Sequence, residues 1–291
     1  MLSLGPIRCN SRGEMRVPCI AYRGTRMTPR KIYIIYLISS GVVLASLLHV
    51  SLTALANAGD TEAANGSIIV ELFTSEGCSS CPPADALLQQ IDNKATRNGR
   101  RVIAISEHVT YWNHLGWSDP FSDEVYTQRQ DEYARRFHLD SVYTPQMVID
   151  GDEQILGSDQ KGLLRALEQN RENSPVTFRV SAVERQGDSL AVGYSLAGNF
   201  PANGADLVAV IADDEEHSNV ARGENTGRVL THVSVARMLK RFKANRAGAD
   251  NILQIDLPHP INSSAKQARR LILFVQEKGQ GRILAADEKP F

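Results

Sequence analysis

Cysteine is scarce in this sequence, which has four among 291 residues, and two of these, Cys9 and Cys19, lie near the N-terminus. Only Cys78 and Cys81 remain downstream, so a zinc site would lack further cysteine ligands there. A strong net charge is also missing, because the formal value is −1. This balance gives no reason to expect a nucleic-acid partner. With 42% hydrophobic and 22% charged residues, the chain is neither disordered nor fibrous in composition.

The first 58 residues have the pattern of a signal peptide. Residues 1–31 contain seven basic side chains and one acidic one, residues 32–50 are apolar, and Ala56-Asn57-Ala58 is a small-residue cleavage site. A translational start at Met27 would give this leader an ordinary length. The alternative is an uncleaved N-terminal membrane anchor, since the apolar run is long enough to span a bilayer. We therefore expect an exported protein, periplasmic or secreted, that meets the membrane only through an uncleaved leader.

Removal of the leader changes the charge and the cysteine inventory. It takes away seven basic groups and one acidic group, so that the formal charge goes from −1 to −7. Cys78 and Cys81 are then the only cysteines left. In an oxidising compartment such a pair is expected to form a disulfide unless a partner reduces it.

The chain from residue 66 to residue 173 is predicted to be an α/β domain. Its predicted elements are a buried strand at 68–73, a helix at 82–91, a second strand at 101–107, a helix at 122–138, a hairpin at 144–151 and 154–157, and a last helix after residue 158. The strand–helix–strand unit favours a parallel pair with a right-handed crossover. Between the second strand and the next helix lies a long aromatic loop.

From residue 175 to residue 288 the pattern changes to short strands separated by turns. Strands are predicted at 176–183, 190–196, 206–212, 228–235, 251–257, 270–277 and 281–286, with a short helix at 238–246. Seven strands at such spacing are typical of a β-sandwich. The predicted fold class is therefore an α/β domain followed by an all-β sandwich-like domain.

The motif Cys78-Ser79-Ser80-Cys81 carries the chemistry that the sequence suggests. It lies where a strand is followed by a helix, so the first thiol is expected near the positive end of the helix dipole, which stabilises a thiolate. A static bridge is the alternative, but linking residues three apart closes little chain and adds little stability. Glu76 and the Pro82-Pro83 pair depart from a strongly activated redox site, and no basic residue lies beside the cysteines.

The same residues resemble a known fold and a known family. A strand, Cys78-Ser79-Ser80-Cys81, a helix, a strand and then Thr144-Pro145 opening a further strand resemble the thioredoxin fold. That resemblance implies that Cys78 attacks, that Cys81 resolves, and that Pro145, with Thr144 before it, is a cis-proline that aligns a partner. Segments 71–85, 108–117 and 141–151 also resemble the secreted thioredoxin-like family catalogued as domain of unknown function 1223, over most of residues 67–288.

His108, at the end of the second predicted strand, is a further candidate. It is expected at the same sheet edge as Cys78, where it would serve as an acid or base in exchange, or complete a copper site with Cys78 and Cys81. The bland alternative is a histidine that hydrogen-bonds within the aromatic loop. The charged segment 222–228, followed by His232, is expected to pack against the α/β domain, to line the cleft, or to form a hairpin in solvent.

These observations lead to three competing functional predictions. The first is a thiol-disulfide oxidoreductase without a cofactor, whose partners are protein thiols or disulfides and a redox protein that donates or accepts electrons. The second is a copper metallochaperone that uses Cys78, Cys81 and His108. The third is an interaction protein that keeps the disulfide but does not turn over.

Overall fold

A computed structural model describes residues 66–169, 174, 176–244, 247–257 and 268–291. The predicted signal peptide at 1–58, the alternative start at Met27 and the membrane anchor lie outside the described residues. Within these ranges, no helix is both long enough and apolar enough to cross a membrane.

The first half of the described chain alternates strands and helices. Its elements are β1 (Ser67–Thr74), α1 (Pro82–Ile91), β2 (Arg101–His108), α2 (Glu124–Arg136), β3 (Gln146–Ile149), β4 (Glu153–Leu156) and α3 (Gln160–Glu168). Strand β2 runs parallel to β1, whereas β3 is antiparallel to β1 and β4 is antiparallel to β3. The element order predicted for this half is confirmed.

Side-chain caps fix the starts of two helices. The carboxylate of Asp123 accepts a hydrogen bond from the backbone N–H of Val125 at 2.9 Å, so that Asp123 caps α2. Asp159 caps α3 in the same way through the N–H of Gly162 at 3.0 Å. Helix α1 has no side-chain cap and begins with the two prolines.

The second half of the described chain is made of strands. These are β5 (Val176–Gln186), β6 (Ser189–Gly198), β7 (Ala205–Asn219), β8 (Val229–Lys243), β9 (Ala247–Asp256), β10 (Arg269–Glu277) and β11 (Ile283–Pro290). The predicted helix at 238–246 is wrong, because β8 continues through Met238 to Lys243 and pairs with β7 over its whole length. Residues 245 and 246 lie outside the described part.

The predicted fold class, an α/β thioredoxin-like domain followed by an all-β sandwich-like domain, is wrong. One eight-stranded mixed sheet contains strands from both halves, in the order β11-β10-β7-β8-β2-β1-β3-β4, and β5, β6 and β9 form a separate three-stranded sheet. The join is the parallel pairing of β8 with β2 at Val235 and Ser106. The described chain is therefore mostly strand, with three helices packed on the large sheet.

Apolar residues cover both faces of the large sheet. On one face, Leu207, Ile211 and Leu273 pack against the three-stranded sheet through Leu190 and Val192. Elsewhere, helices α1 and α3 cover β1 and β2, and α2 lies on the opposite side. Strands buried on both faces have continuous apolar runs instead of alternation.

Candidate functional site

The two downstream cysteines form a disulfide in the turn between β1 and α1. Their Cα atoms lie 5.4 Å apart and both residues are fully buried, whereas the two serines between them are exposed. Cys81 is the N-cap of α1, and Pro82-Pro83 follow in the first turn. The disulfide with Cys-x-x-Cys spacing is thus present where the sequence placed it.

The helix terminus does not offer Cys78 a free N–H group. The prolines have none, and the N–H groups of Ala84 and Asp85 donate to the carbonyl oxygen of Cys81 at 2.8 and 3.1 Å. The Cys78 sulfur contacts the hydroxyl of Ser80, whose Oγ lies 3.4 Å from Sγ. The sequence predicted that Cys78 lies near the positive end of the helix dipole; in this structure the first-turn N–H groups of α1 donate to Cys81 and not to Cys78.

A buried imidazole lies between two buried carboxylates next to the disulfide turn. His232 Nε2 is 3.4 Å from Glu76 Oε1, and His232 Nδ1 is 3.6 Å from Asp85 Oδ1. Burial opposes the charged imidazolium, but Asp85 and Glu76 outweigh it and raise the pKa of His232 to about 10. Glu76 precedes Cys78 by two residues and Asp85 lies one helical turn after Cys81. The charged His232 ring therefore pairs with a carboxylate at each end of the Cys-x-x-Cys motif.

His108 lies in the same buried region but is held by another partner. Its Nδ1 is 2.7 Å from Asp119 Oδ2, which also accepts the backbone N–H of Glu76 at 2.8 Å. Burial of Asp119 is outweighed by His108 and by these donors, so the pKa of Asp119 is lowered. The rings of His108 and His232 meet edge to face with centroids 4.6 Å apart.

This region contains an unusual concentration of unsatisfied polar atoms. Within the described chain, five buried atoms here lack a hydrogen-bond partner, namely Glu76 Oε1, Asp85 Oδ2, His108 Nε2 and both ring nitrogens of His232. Most buried polar atoms in proteins are hydrogen-bonded, and exceptions cluster at functional sites. The disulfide turn is therefore built over a buried group of ionisable side chains.

The aromatic loop packs directly on the disulfide turn. Trp117 Nε1 donates to Glu76 Oε2 at 2.7 Å, and Trp112 Nε1 donates to Thr144 Oγ1 at 2.8 Å. A Cβ atom added at Gly77 would lie 3.0 Å from Trp112 Cβ, so the turn and the tryptophan are in close contact. The loop thereby links Thr144 to the residues that flank the disulfide.

Thr144-Pro145 is placed beside the first turn of α1. The peptide bond between the two residues is cis, as the resemblance implied. A Cβ atom built at Gly157 would lie 2.8 Å from Pro145 Cβ and 3.1 Å from Ala84 Cβ, so Pro145 and Ala84 share one tightly packed spot behind the disulfide. The structure thus places Pro145 against the first turn of α1, the helix that begins directly after Cys81.

The charged segment 222–228 lies on the disulfide turn instead of extending into solvent. Glu224 Oε2 accepts the backbone N–H of Ser79 at 3.1 Å, and Asn225 Nδ2 donates to the carbonyl oxygens of Glu76 and Cys78 at 2.9 Å each. Hydrogen bonds from Ser79 lower the pKa of Glu224. Of the alternatives that the sequence left open, packing against the first half is the one observed.

A copper site from Cys78, Cys81 and His108 is not assembled in this structure. The cysteines are bonded to each other and His108 is paired with Asp119. Across the described ranges, no group of three or more histidine, cysteine, aspartate or glutamate residues is arranged to hold a metal ion. The three predicted copper ligands are therefore engaged with other partners in the described part of the chain, and the copper alternative stays a prediction.

A second buried ionic cluster lies on the opposite face of β1. Arg129 of α2 is fully buried, with Nε 2.5 Å from Glu71 Oε1 and 3.5 Å from Glu107 Oε1. Burial, and then the charge of Glu71, raise the pKa of Glu107, although Arg129 acts in the opposite direction. Arg129 also donates to Gln276 and Gln280, so the cluster joins α2 to β10 and the turn after it. This cluster was not predicted from the sequence.

Fold and site together define a mixed-sheet protein with a buried Cys-x-x-Cys disulfide set over ionisable side chains. The chain belongs to the family described as Protein of unknown function (DUF1223), whose model matches residues 69–276. The predicted membership of domain of unknown function 1223 is thereby confirmed.

Solved structures support the fold alone. A crystal structure of an Agrobacterium tumefaciens protein is 24% identical, with a TM-score of 0.56, and the match covers 78% of this chain and 95% of that one. A β-glucosidase from Kluyveromyces marxianus in complex with glucose matches with 11% identity and a TM-score of 0.20, over 40% of this chain and 14% of that one, which is too little to carry an argument. No curated protein matches the chain.

Proposed function

We propose that this protein is an exported thiol-disulfide oxidoreductase whose working group is the Cys78–Cys81 pair. The observation that carries the proposal is the position of the disulfide over the buried set Glu76, Asp85 and His232. A bridge between residues three apart adds little to stability, so a purely structural role does not explain why ionisable groups are buried beside it. Perturbed, buried ionisable groups beside a reactive pair are instead typical of a chemical site.

The reaction begins from the reduced pair and a disulfide in a partner protein. The Cys78 thiolate attacks one partner sulfur, the partner S–S bond breaks, and the partner's other sulfur leaves as a thiolate that takes up a proton. The Cys81 thiolate then attacks Cys78 Sγ, which restores the Cys78–Cys81 bond and releases the partner's second thiol. Two electrons pass from the pair to the partner. A dithiol redox protein must return them, and the reverse direction uses the same steps.

Several contacts support this assignment of roles. Cys81 occupies the N-cap position of α1, whose Ala84 lies close to Pro145 around Gly157, and this position at the helix start suits the resolving cysteine. The carbonyl and sulfur of Cys78 face polar groups, namely Asn225 Nδ2 and Ser80 Oγ. Thr144 is held by Trp112 next to the turn and would border the bound partner.

The test is a trapping experiment with the reduced chain and glutathione disulfide. Cys81→Ala removes the resolving thiol, so we expect a stable glutathione adduct on Cys78, measured by mass spectrometry of the peptide that contains this residue. The unchanged chain should accumulate no such adduct and should instead regain the Cys78–Cys81 bridge. Peptide mapping also separates Cys78 from the N-terminal cysteines Cys9 and Cys19.

Cys78→Ala is the matched control and should give little adduct on Cys81, since attack by Cys78 is the first step. If Cys81→Ala forms no adduct on Cys78, and the unchanged reduced chain consumes no glutathione disulfide, the disulfide is a static bridge. The third functional prediction, an interaction protein without turnover, would then replace this one.

A further inference from the structure

The loop between β7 and β8 covers the disulfide turn through side-chain hydrogen bonds to main-chain groups of the turn. We call residues 222–228 the cap loop. Glu224 accepts the N–H of Ser79, and Asn225 donates to the carbonyl oxygens of Glu76 and Cys78. These hydrogen bonds are made with backbone groups on both sides of Gly77, so the cap loop stabilises the backbone conformation of the turn.

Both polar atoms of the Asn225 side chain form hydrogen bonds, and the amide nitrogen bonds to the disulfide turn. It is fully buried, its amide nitrogen donates to two carbonyl oxygens at 2.9 Å, and its amide oxygen accepts from Arg228 Nη1 at 2.8 Å. Loss of the side chain would leave buried carbonyl groups of the turn without partners, which is costly. Asn225 is therefore the strongest attachment between the cap loop and the disulfide turn.

The cap loop also touches the aromatic loop on its other side. A Cβ atom at Gly223 would lie 3.1 Å from Trp117 Cβ, and this glycine has a φ of +78°, a left-handed conformation that favours glycine. Trp117 in turn donates to Glu76. The disulfide turn is thus enclosed between the cap loop and the aromatic loop, consistent with the full burial of Cys78 and Cys81.

Exchange needs a thiolate to approach one sulfur, and access is one of the factors that set its rate. On the basis of the proposed function, we propose that the cap loop is a gate that must leave the disulfide turn before a thiolate reaches the Cys78–Cys81 bond, and that Asn225 is the positioning residue that keeps it closed. Glu224 is exposed and its contact with Ser79 lies at the surface, where water can replace it. Opening therefore depends mainly on the two buried hydrogen bonds of Asn225.

The test is the reduction of the oxidised chain by dithiothreitol. One dithiothreitol thiolate attacks the bridge, its second thiol completes a cyclic disulfide, and two electrons and two protons pass to the cysteine pair. We expect Asn225→Ala to raise the second-order rate constant about tenfold or more, since two buried hydrogen bonds hold the closed form. Rates are measured by alkylation of the peptide that contains both cysteines, followed by mass spectrometry.

Asn225→Asp is the second variant, because it preserves the shape of the side chain and places an oxygen against the two carbonyl groups. It should also accelerate reduction, while Asn219→Ala, which removes an exposed amide at the end of β7, should change the rate by less than about twofold. Hydrogen exchange at the amide of Ser79 reports the opening directly and should be faster in both Asn225 variants.

Equal reduction rates in the unchanged chain and both Asn225 variants, with unchanged exchange at Ser79, would overturn the gate and leave the proposed function intact. A bridge that dithiothreitol reduces in none of these folded chains, but reduces after unfolding in urea, would overturn the gate and the proposed function together. Faster reduction in both variants without a matching loss of unfolding free energy supports the gate.

Discussion

Replacement of Arg129 by methionine is expected to lower the free energy of unfolding by about 3–5 kcal/mol. Arg129 is fully buried, and its guanidinium is the cation within 2.5 Å of Glu71 and 3.5 Å of Glu107. Without it, Glu71 and Glu107 remain buried on adjacent strands and lose its positive charge, and Gln276 and Gln280 lose the hydrogen bonds that it donates. Urea unfolding at neutral pH measures the loss.

Arg136→Met is the matched control on the same helix. Arg136 is partly exposed and its contact with Asp152 is 3.4 Å long, so its loss should cost less than about 1 kcal/mol. Adding Glu71→Gln to Arg129→Met should recover part of the stability, because one unpaired buried charge is removed. Equal losses for Arg129→Met and Arg136→Met would show that the buried cluster does not hold α2 to the sheet.

Replacement of His232 by glutamine is expected to lower the free energy of unfolding by about 3–5 kcal/mol at pH 7. The imidazolium lies between Glu76 and Asp85, and both carboxylates stay buried when it is removed. The pKa of His232 is raised to about 10 in the folded chain, against an ordinary value of about 6.5 in the unfolded chain. The contribution of protonated His232 to the free energy of unfolding is therefore fully present below about pH 6.5 and is lost as the pH rises toward 10.

The sign of the pH dependence follows from proton binding. Between these two pKa values the folded chain holds one more proton than the unfolded chain, so the unfolding free energy falls with rising pH by up to about 1.4 kcal/mol per unit. The gap between the unchanged chain and His232→Gln should therefore narrow from pH 7 to pH 9 in urea titrations. His217→Gln, at an exposed histidine of the same hairpin, should leave the slope unchanged. A constant gap would contradict a charged His232.

Local elements of the first half could be predicted from the sequence because each is encoded by neighbouring residues. The β-branched run at 68–73 gave β1, the Asp150-Gly151 pair gave the turn between β3 and β4, and the Cys-x-x-Cys spacing gave the disulfide. The aromatic loop was also recognised. Its packing on Gly77 was not, since nothing in the local sequence indicates which surface a loop will meet.

The fold class failed because strand pairing is a long-range property. The join between the halves is the contact of β8 with β2, more than one hundred residues apart along the chain. One signal was available: residues 207–211 and 271–275 are continuously apolar, and such runs indicate strands buried on both faces of a large sheet. A sandwich strand with one exposed face would alternate instead.

The site was predicted only in part for the same reason. Cys78, Cys81, Thr144 and Pro145 lie in recognisable motifs, whereas His232 reaches Glu76 and Asp85 from a strand in the other half of the chain. Asn225 was recognised only as one member of a charged segment. Glu71 and Glu107 were visible as single acids within apolar strands, which is a sign of buried charge, but their partner Arg129 lies on a distant helix.

The most direct measurement of the central claim is a redox titration of the purified chain against mixtures of reduced and oxidised glutathione. The fraction of the Cys78–Cys81 pair that is reduced is read by alkylation and mass spectrometry. Exchange predicts a reversible two-electron transition with a midpoint between about −270 and −120 mV, the range of disulfide-exchange proteins. A pair that stays oxidised throughout, with a potential below about −300 mV, would identify the bridge as structural and contradict the account.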